Sequence, residues 1–195
     1  MCRIKKIRIG VILMPTTWFT SDTHFSHCNI IEYCNRPFKD TDEMNKILIQ
    51  NWNSVVRPDD IVWHLGDFAL GDKTKIPEIV QKLHGNIRLV KGNHDNRSNQ
   101  FYRDCGFTEV YNLPVVLDEF IVLSHAPMPF VPSPTMINLY GHVHDSPMFE
   151  TWGNQCACMC VERHNYTPVN IEVVREHFTK PEHLRISETA IHDKH

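Results

Sequence analysis

Five short apolar runs, each closed by residue types that bind metals or move protons, constrain this chain more than any other feature. Residues 17–20 lead into Asp22-Thr23-His24, residues 61–65 into Gly66-Asp67, and residues 87–90 into Lys91-Gly92-Asn93-His94-Asp95. Residues 120–123 lead into Ser124-His125, and residues 137–140 into Gly141-His142-Val143-His144. A short apolar run bounded by turn residues reads as a buried strand, and open α/β sheets bind ligands at the carboxyl edge of their strands. After residues 87–90 the chain should turn sharply at Gly92, which tolerates backbone angles that other residues resist. One such block is an ordinary turn, because Gly, Asn and Asp are common turn formers. Five in succession have no reason to keep that order unless they share a site.

Between these blocks the pattern alternates. Residues 29–33 read as a helical turn, and Asp40 with Glu43 makes a capping-box-like start to a helix reaching residue 56. Met44, Ile47, Leu48, Trp52, Val55 and Val56 recur at helical spacing and should pack on a sheet. A second helix is expected at 77–83, with Pro77 in its first turn and Gly85 stopping it. Strand, helix, strand, helix, strand argues for parallel βαβ units. After a short helix at 99–105, strands at 108–111, 115–117 and 120–123 follow closely, with Asp118-Glu119 short enough to be a hairpin turn. Residues 127–134 carry four prolines and form an irregular loop, placed to wall one side of the site. A last strand is expected at 156–161 and a helix at 170–178.

The chain is long enough for one sizeable core and too short for a second substantial domain. The expected division is an N-terminal extension at 1–14, a single domain at 15–178 and a polar tail at 179–195. Residues 1–14 mimic a signal peptide, but the apolar stretch is short, Pro15 interrupts it and no small-residue cleavage site follows. With a net charge of −3, the chain lacks the basic character of an obligate DNA or RNA binder. Seven cysteines without a secretory signal are read as reduced thiols of a cytoplasmic protein. No apolar stretch is long enough to span a bilayer.

The candidate ligands are Asp22, His24, Asp67, Asn93, His125, His142 and His144. Imidazole, carboxylate and amide oxygen together suit Mn, Fe, Ni, Co or Zn. Seven ligands exceed one ordinary site. If Asp67 bridges two ions, each receives four protein ligands and keeps an open position, as catalysis requires. Two divalent ions, two carboxylates and a bridging hydroxide leave a charge of roughly +1, which draws in an anion. Such a pair activates the hydroxide and clamps phosphoryl oxygens during in-line displacement. His94 is then the candidate to protonate the leaving oxygen, and Asp95 the candidate to hold its ring in the required tautomer.

The order Asp-x-His, Gly-Asp, Gly-Asn-His-Asp, Ser-His, Gly-His-x-His resembles the calcineurin-like metallophosphoesterase superfamily, over residues 20–144. The resemblance implies a four-layer α/β/β/α sandwich, with two mixed sheets flanked by helices. It also implies one ion on Asp22, His24, Asp67 and His144, a second on Asp67, Asn93, His125 and His142, and the family's catalytic histidine at His94. Residues 18–25 and 63–68 look most like small single-domain members from bacteria and phages. Phe68-Ala69-Leu70-Gly71 and Asp95 depart from the protein-phosphatase branch, which has Asp-Arg-Gly after its Gly-Asp and Glu after Gly-Asn-His.

Small phosphodiesters, including cyclic nucleotides, are the expected substrates, since a monoanion nearly neutralises the residual charge. A nuclease of the same family lacks an evident basic track here. A non-catalytic metal-stabilised module is the reading from another class, and the complete ligand set with His94 speaks against it. Arg36 and Arg97 are candidates to grip phosphate or else sit in solvent. His64 and His27 either line the site or pack behind it. The alternating Cys156, Cys158 and Cys160 share one strand face, where three thiolates cannot wrap a tetrahedral ion, so they read as free thiols.

Overall fold

The computed structural model describes residues 14–129 and 135–179. The expectations for the N-terminal extension, most of the proline-rich loop and the polar tail fall outside these residues. Asp40 opens the longest helix with its Oδ1 accepting from Glu43 N at 2.8 Å, and Glu43 Oε2 returns a bond to Lys39 N at 2.7 Å. That cap is worth about 1 kcal/mol. The helix, α2 (Thr41–Val55), follows α1 (Asn29–Tyr33). It buries Met44, Leu48 and Trp52 along one stripe, at about 1.5–3 kcal/mol for each apolar side chain. Their target is the first sheet.

That sheet holds β1 (Thr17–Thr20), β2 (Ile61–His64), β3 (Asn86–Val90) and β4 (Glu109–Tyr111). All four run parallel, joined through α1 and α2, α3 (Ile76–Val80) and α4 (Asn99–Asp104). Alternation sorts the side chains. Val62, Ile87 and Leu89 face the helices, while Phe19, Trp63 and Val90 face a second sheet. The latter contains β5 (Val115–Leu117), β6 (Ile121–Leu123), β7 (Ile137–Tyr140) and β8 (Cys156–Cys158). Ile121, Leu123, Leu139, Ala157 and Met159 complete the core between the sheets. Two mixed sheets flanked by helices are what the sequence resemblance implied.

Three differences from the sequence reading have physical causes. The closely spaced strands are not a meander, because only β5 and β6 pair antiparallel, through a turn with Asp118 and Glu119 at φ 51° and 64°. The β6–β7 and β7–β8 pairs are parallel, and parallel pairing needs a long crossover. The connections that follow β6 and β7 carry His125, His142 and His144. The last strand stops at Cys158, and residues 161–164 coil into a 3-10 turn. Finally, a two-residue strand, β9 (Val169–Asn170), pairs antiparallel with β1. It runs straight into α5 (Ile171–Phe178), whose N-cap is Asn170. So short a strand leaves no periodicity to read.

The amino end of the first sheet is fastened by Asp60. Its carboxylate is fully buried and accepts from Thr16 N, Trp18 Nε1, Arg57 N and the Arg57 guanidinium at 2.8–3.0 Å. No helix among the described residues is long and apolar enough to cross a membrane.

Candidate metal centre

Backbone pairing continues past the strand ends and joins the first block to the second and the fourth to the fifth. Asp22 N donates to Gly66 O, His24 N to Asp67 O, and Gly141 N to His125 O, at 2.7–3.0 Å. The chain then bends into the left-handed region at Asp22 (φ 56°), His24 (49°), Asp67 (55°), His142 (72°) and His144 (48°). Each such residue costs about 1–2 kcal/mol, because its Cβ crowds the backbone. Backbone strain of this kind clusters at functional sites, and five of the seven candidate ligands carry it.

The two carboxylates are built alike. Asp22 Oδ2 accepts from Ser21 Oγ at 2.5 Å, His142 N at 2.8 Å and Cys160 Sγ at 3.3 Å. Its Oδ1 has no hydrogen-bond partner and lies 3.8 Å from His24 Nε2 and 3.7 Å from His144 Nε2. Asp67 Oδ1 accepts from His94 N at 2.9 Å. Its Oδ2 faces the Nε2 atoms of His24, His125 and His94 at 3.7, 3.5 and 3.9 Å. On the other side His125 Nε2, His142 Nδ1 and Asn93 Oδ1 form a triangle with sides of 2.9–3.1 Å. Adjacent ligands on a divalent cation with bonds near 2.1 Å stand roughly 3.0–3.4 Å apart. Asp67 Oδ2 thus faces imidazoles on both sides, His24 on one and His125 on the other.

Asp22-His24-His144 and Asp67-His125-His142 each converge their donor atoms within 4.8 Å. Among the described residues, buried Asp22 Oδ1 and both ring nitrogens of His24 have no hydrogen-bond partner. Buried polar atoms are not normally left so, and a divalent cation is the missing partner that oxygen and imidazole donors fit. Electrostatics agree. Burial opposes ionisation of Asp22, yet the imidazoles of His24, His125 and His144 hold its carboxyl well below the usual range. Burial disfavours a charged His144, but contacts with Cys34, Glu162 and Asp22 raise it to about 11. Burial likewise opposes a charged His125, which Asp67 and Asp22 raise to about 9.

Glycine shapes the pocket by absence. Gly66 sits at φ +98°, and a Cβ there would stand 2.5 Å from both Gly92 N and His125 Nδ1. Gly92 does not use a left-handed backbone as expected. It is needed because a Cβ would overlap Asp67 Oδ1.

Two sequence assignments change, and two are narrowed to one of their alternatives. Asp95 does not orient the His94 ring; its buried carboxylate accepts from Asp67 N at 2.7 Å, Gly92 N at 2.9 Å and Phe68 N at 3.3 Å. It clamps two ligand loops together. Arg36 neither grips substrate nor sits in solvent, because it is buried on Glu162 and on the Asp22 and Thr23 carbonyls. His64 is fully buried, with Nε2 2.9 Å from Thr23 Oγ1, and burial lowers its pKa to about 3. Both arginine and histidine act from behind the ligands. Arg97 takes the solvent-exposed alternative, with its guanidinium over Phe101.

Ser21 and Glu162 were not assigned from sequence, Cys160 was read only as a free thiol, and His27 was left between lining the site and packing behind it. His27 lies beside His24, their ring centroids 5.4 Å apart. Ser21 adjoins the first block, which was its only signal. Cys160 and Glu162 lie beyond the last block with no motif around them. Burial disfavours an ionised Glu162, but His144 and Arg36 keep its carboxyl low.

A profile of the calcineurin-like phosphoesterase family matches residues 15–152. An uncharacterized protein of Methanocaldococcus jannaschii is 34% identical over 171 residues, covering 83% of this chain and 90% of that protein. The Gene 66 protein of Mycobacterium phage L5 is 41% identical over 85 residues, covering 42% of this chain and 41% of that protein. A crystal structure of an Aquifex aeolicus protein of unknown function superposes with a TM-score of 0.63 at 25% identity, covering 84% of this chain and 99% of that one.

Proposed function

The chain belongs to the calcineurin-like phosphoesterase family, and on that premise we propose that it hydrolyses small phosphodiesters, cyclic nucleotides among them, with two divalent transition-metal ions. The observation that carries the reading is Asp67 Oδ2, which faces His24 at 3.7 Å in one donor group and His125 at 3.5 Å in the other. Asp22, His24, Asp67 and His144 hold one ion in this reading, and Asp67, Asn93, His125 and His142 the other. When bound, such ions supply Lewis acidity toward phosphoryl oxygens and make water a nucleophile at neutral pH.

The protein's own part is positioning and proton transfer. Asp22 and Asp67 each spend one oxygen on protein donors, which fixes the direction of the other. His94 has a side chain 42% exposed, and its Nε2 lies 3.9 Å from Asp67 Oδ2. Its imidazole stands at the mouth of the cluster while its backbone N–H anchors the shared carboxylate. In this reading its imidazole gives a proton to the departing alkoxide, the assistance that a poor leaving group needs. Diesters are favoured because a centre of roughly +1 is nearly neutralised by one negative charge.

Hydrolysis of bis(p-nitrophenyl) phosphate and p-nitrophenyl phosphate, with Mn, Ni, Co, Zn or Mg added, tests this. Metal-dependent cleavage with the diester preferred is expected, and a chelator should abolish it. Failure of every metal-loaded form on both compounds and on cyclic nucleotides would end the proposal.

A further inference from the structure

Glu162 lies outside the family match and beyond every motif, yet it meets the cluster from behind. Its Oε1 is 2.9 Å from His144 Nδ1, and it accepts from Arg36 Nε at 3.0 Å and Arg36 Nη2 at 2.6 Å. The same guanidinium donates to Asp22 O at 2.7 Å and Thr23 O at 2.9 Å. The side chains are 0% exposed at Arg36 and 4% at Glu162. We propose that Glu162 is a positioning residue of the metal centre: its carboxylate fixes the ring and tautomer of His144, and Arg36 fixes that carboxylate. The inference rests on the reading of His144 as a ligand.

A hydrogen on Nδ1, given to Glu162, leaves the Nε2 lone pair free, and Nε2 is the atom that faces Asp22 Oδ1 at 3.7 Å. Carboxylates that hold the second nitrogen of a ligating histidine set its orientation and basicity, and losing one costs roughly 10–100-fold in metal affinity. A pair serving stability alone would need only Arg36 and Glu162, and buried pairs are weak contributors there. Here one Arg36 nitrogen, Nη2, bonds both Glu162 Oε1 and the carbonyl of Asp22, whose backbone is left-handed. The first and last ligand blocks are thereby referenced to a single buried cation.

Co2+ binding tests this without reference to turnover, by calorimetry and visible absorption on the full chain. The unaltered protein should bind two ions. Glu162→Ala should weaken one event by about 10–100-fold, change the absorption of that ion and spare the other. Glu162→Gln keeps an oxygen acceptor and should recover most of the loss, with less than tenfold weakening confined to the same event. Should Glu162→Ala fail to fold, Glu162→Gln carries the test alone. Equal weakening of both events, or none, overturns the inference while leaving the two-ion reading intact. Absence of Co2+ binding by the unaltered protein overturns both.

Discussion

Asp22 and Asp60 are both fully buried carboxylates, one past the end of β1 and the other before the start of β2. Both are held below the usual carboxylate range despite burial, Asp60 by Arg57, Thr16 and Trp18, and Asp22 by imidazoles. Yet Asp60 has both oxygens satisfied by amide, indole and guanidinium donors, while Asp22 leaves Oδ1 without a partner. One edge of the sheet is finished and the opposite edge is held open. The same residue type fastens the fold at one end and presents an unmet demand at the other, and only the surrounding donors distinguish the two uses.

The largest effect that should separate the edges is Asp67→Asn. In the proposed two-ion reading both ions would lose a ligand, so turnover should fall by more than the roughly 100-fold that changes behind a ligand can cause. Thermal stability without metal should barely move, and a melt with chelator beside the activity assay checks both. Next comes His94→Ala, expected to cost roughly 10²-fold, the lower end of general-acid assistance. Metal content should be retained and the loss should be greatest for alkyl leaving groups; uniform slowing would remove the acid role.

Asp60→Asn should reverse the pattern. Hydrogen bonds to a charged group contribute about 1.5–3 kcal/mol, so denaturant unfolding should show about 2 kcal/mol lost while metal affinity is unchanged. The sign with pH follows from the depressed carboxyl. Asp60 stabilises fully above its unfolded value near 3.9, and that contribution is lost as pH falls through its lower folded value. Asp60→Asn should accordingly flatten the acid limb of the stability profile. The smallest effect is Asp40→Ala, about 1 kcal/mol through the lost cap of α2, with activity untouched.

How much could be read beforehand follows the same division. The ligand blocks were legible because each sits directly after an apolar run, so local order reports a shared edge. Arg36 and Asp95 were named but misplaced, and His64 was left between two depths, since side-chain chemistry says what a group can hold and nothing of its depth. Arg36 meets a partner 126 positions away. Glu162 carried no signal at all, because its contacts exist only after the sheets have packed. Gly92 was noticed for a conformational reason and proved necessary for a steric one.

The left-handed bends at five of the ligand positions carry a consequence for the history of such a chain. A glycine at any of them relieves backbone crowding, so discarding the chemistry is downhill for the apoprotein and keeping it is uphill. A copy freed from its task would drift toward a tougher, inert molecule. Aspartate or histidine at all five is what the proposed metal centre would have to hold against that drift.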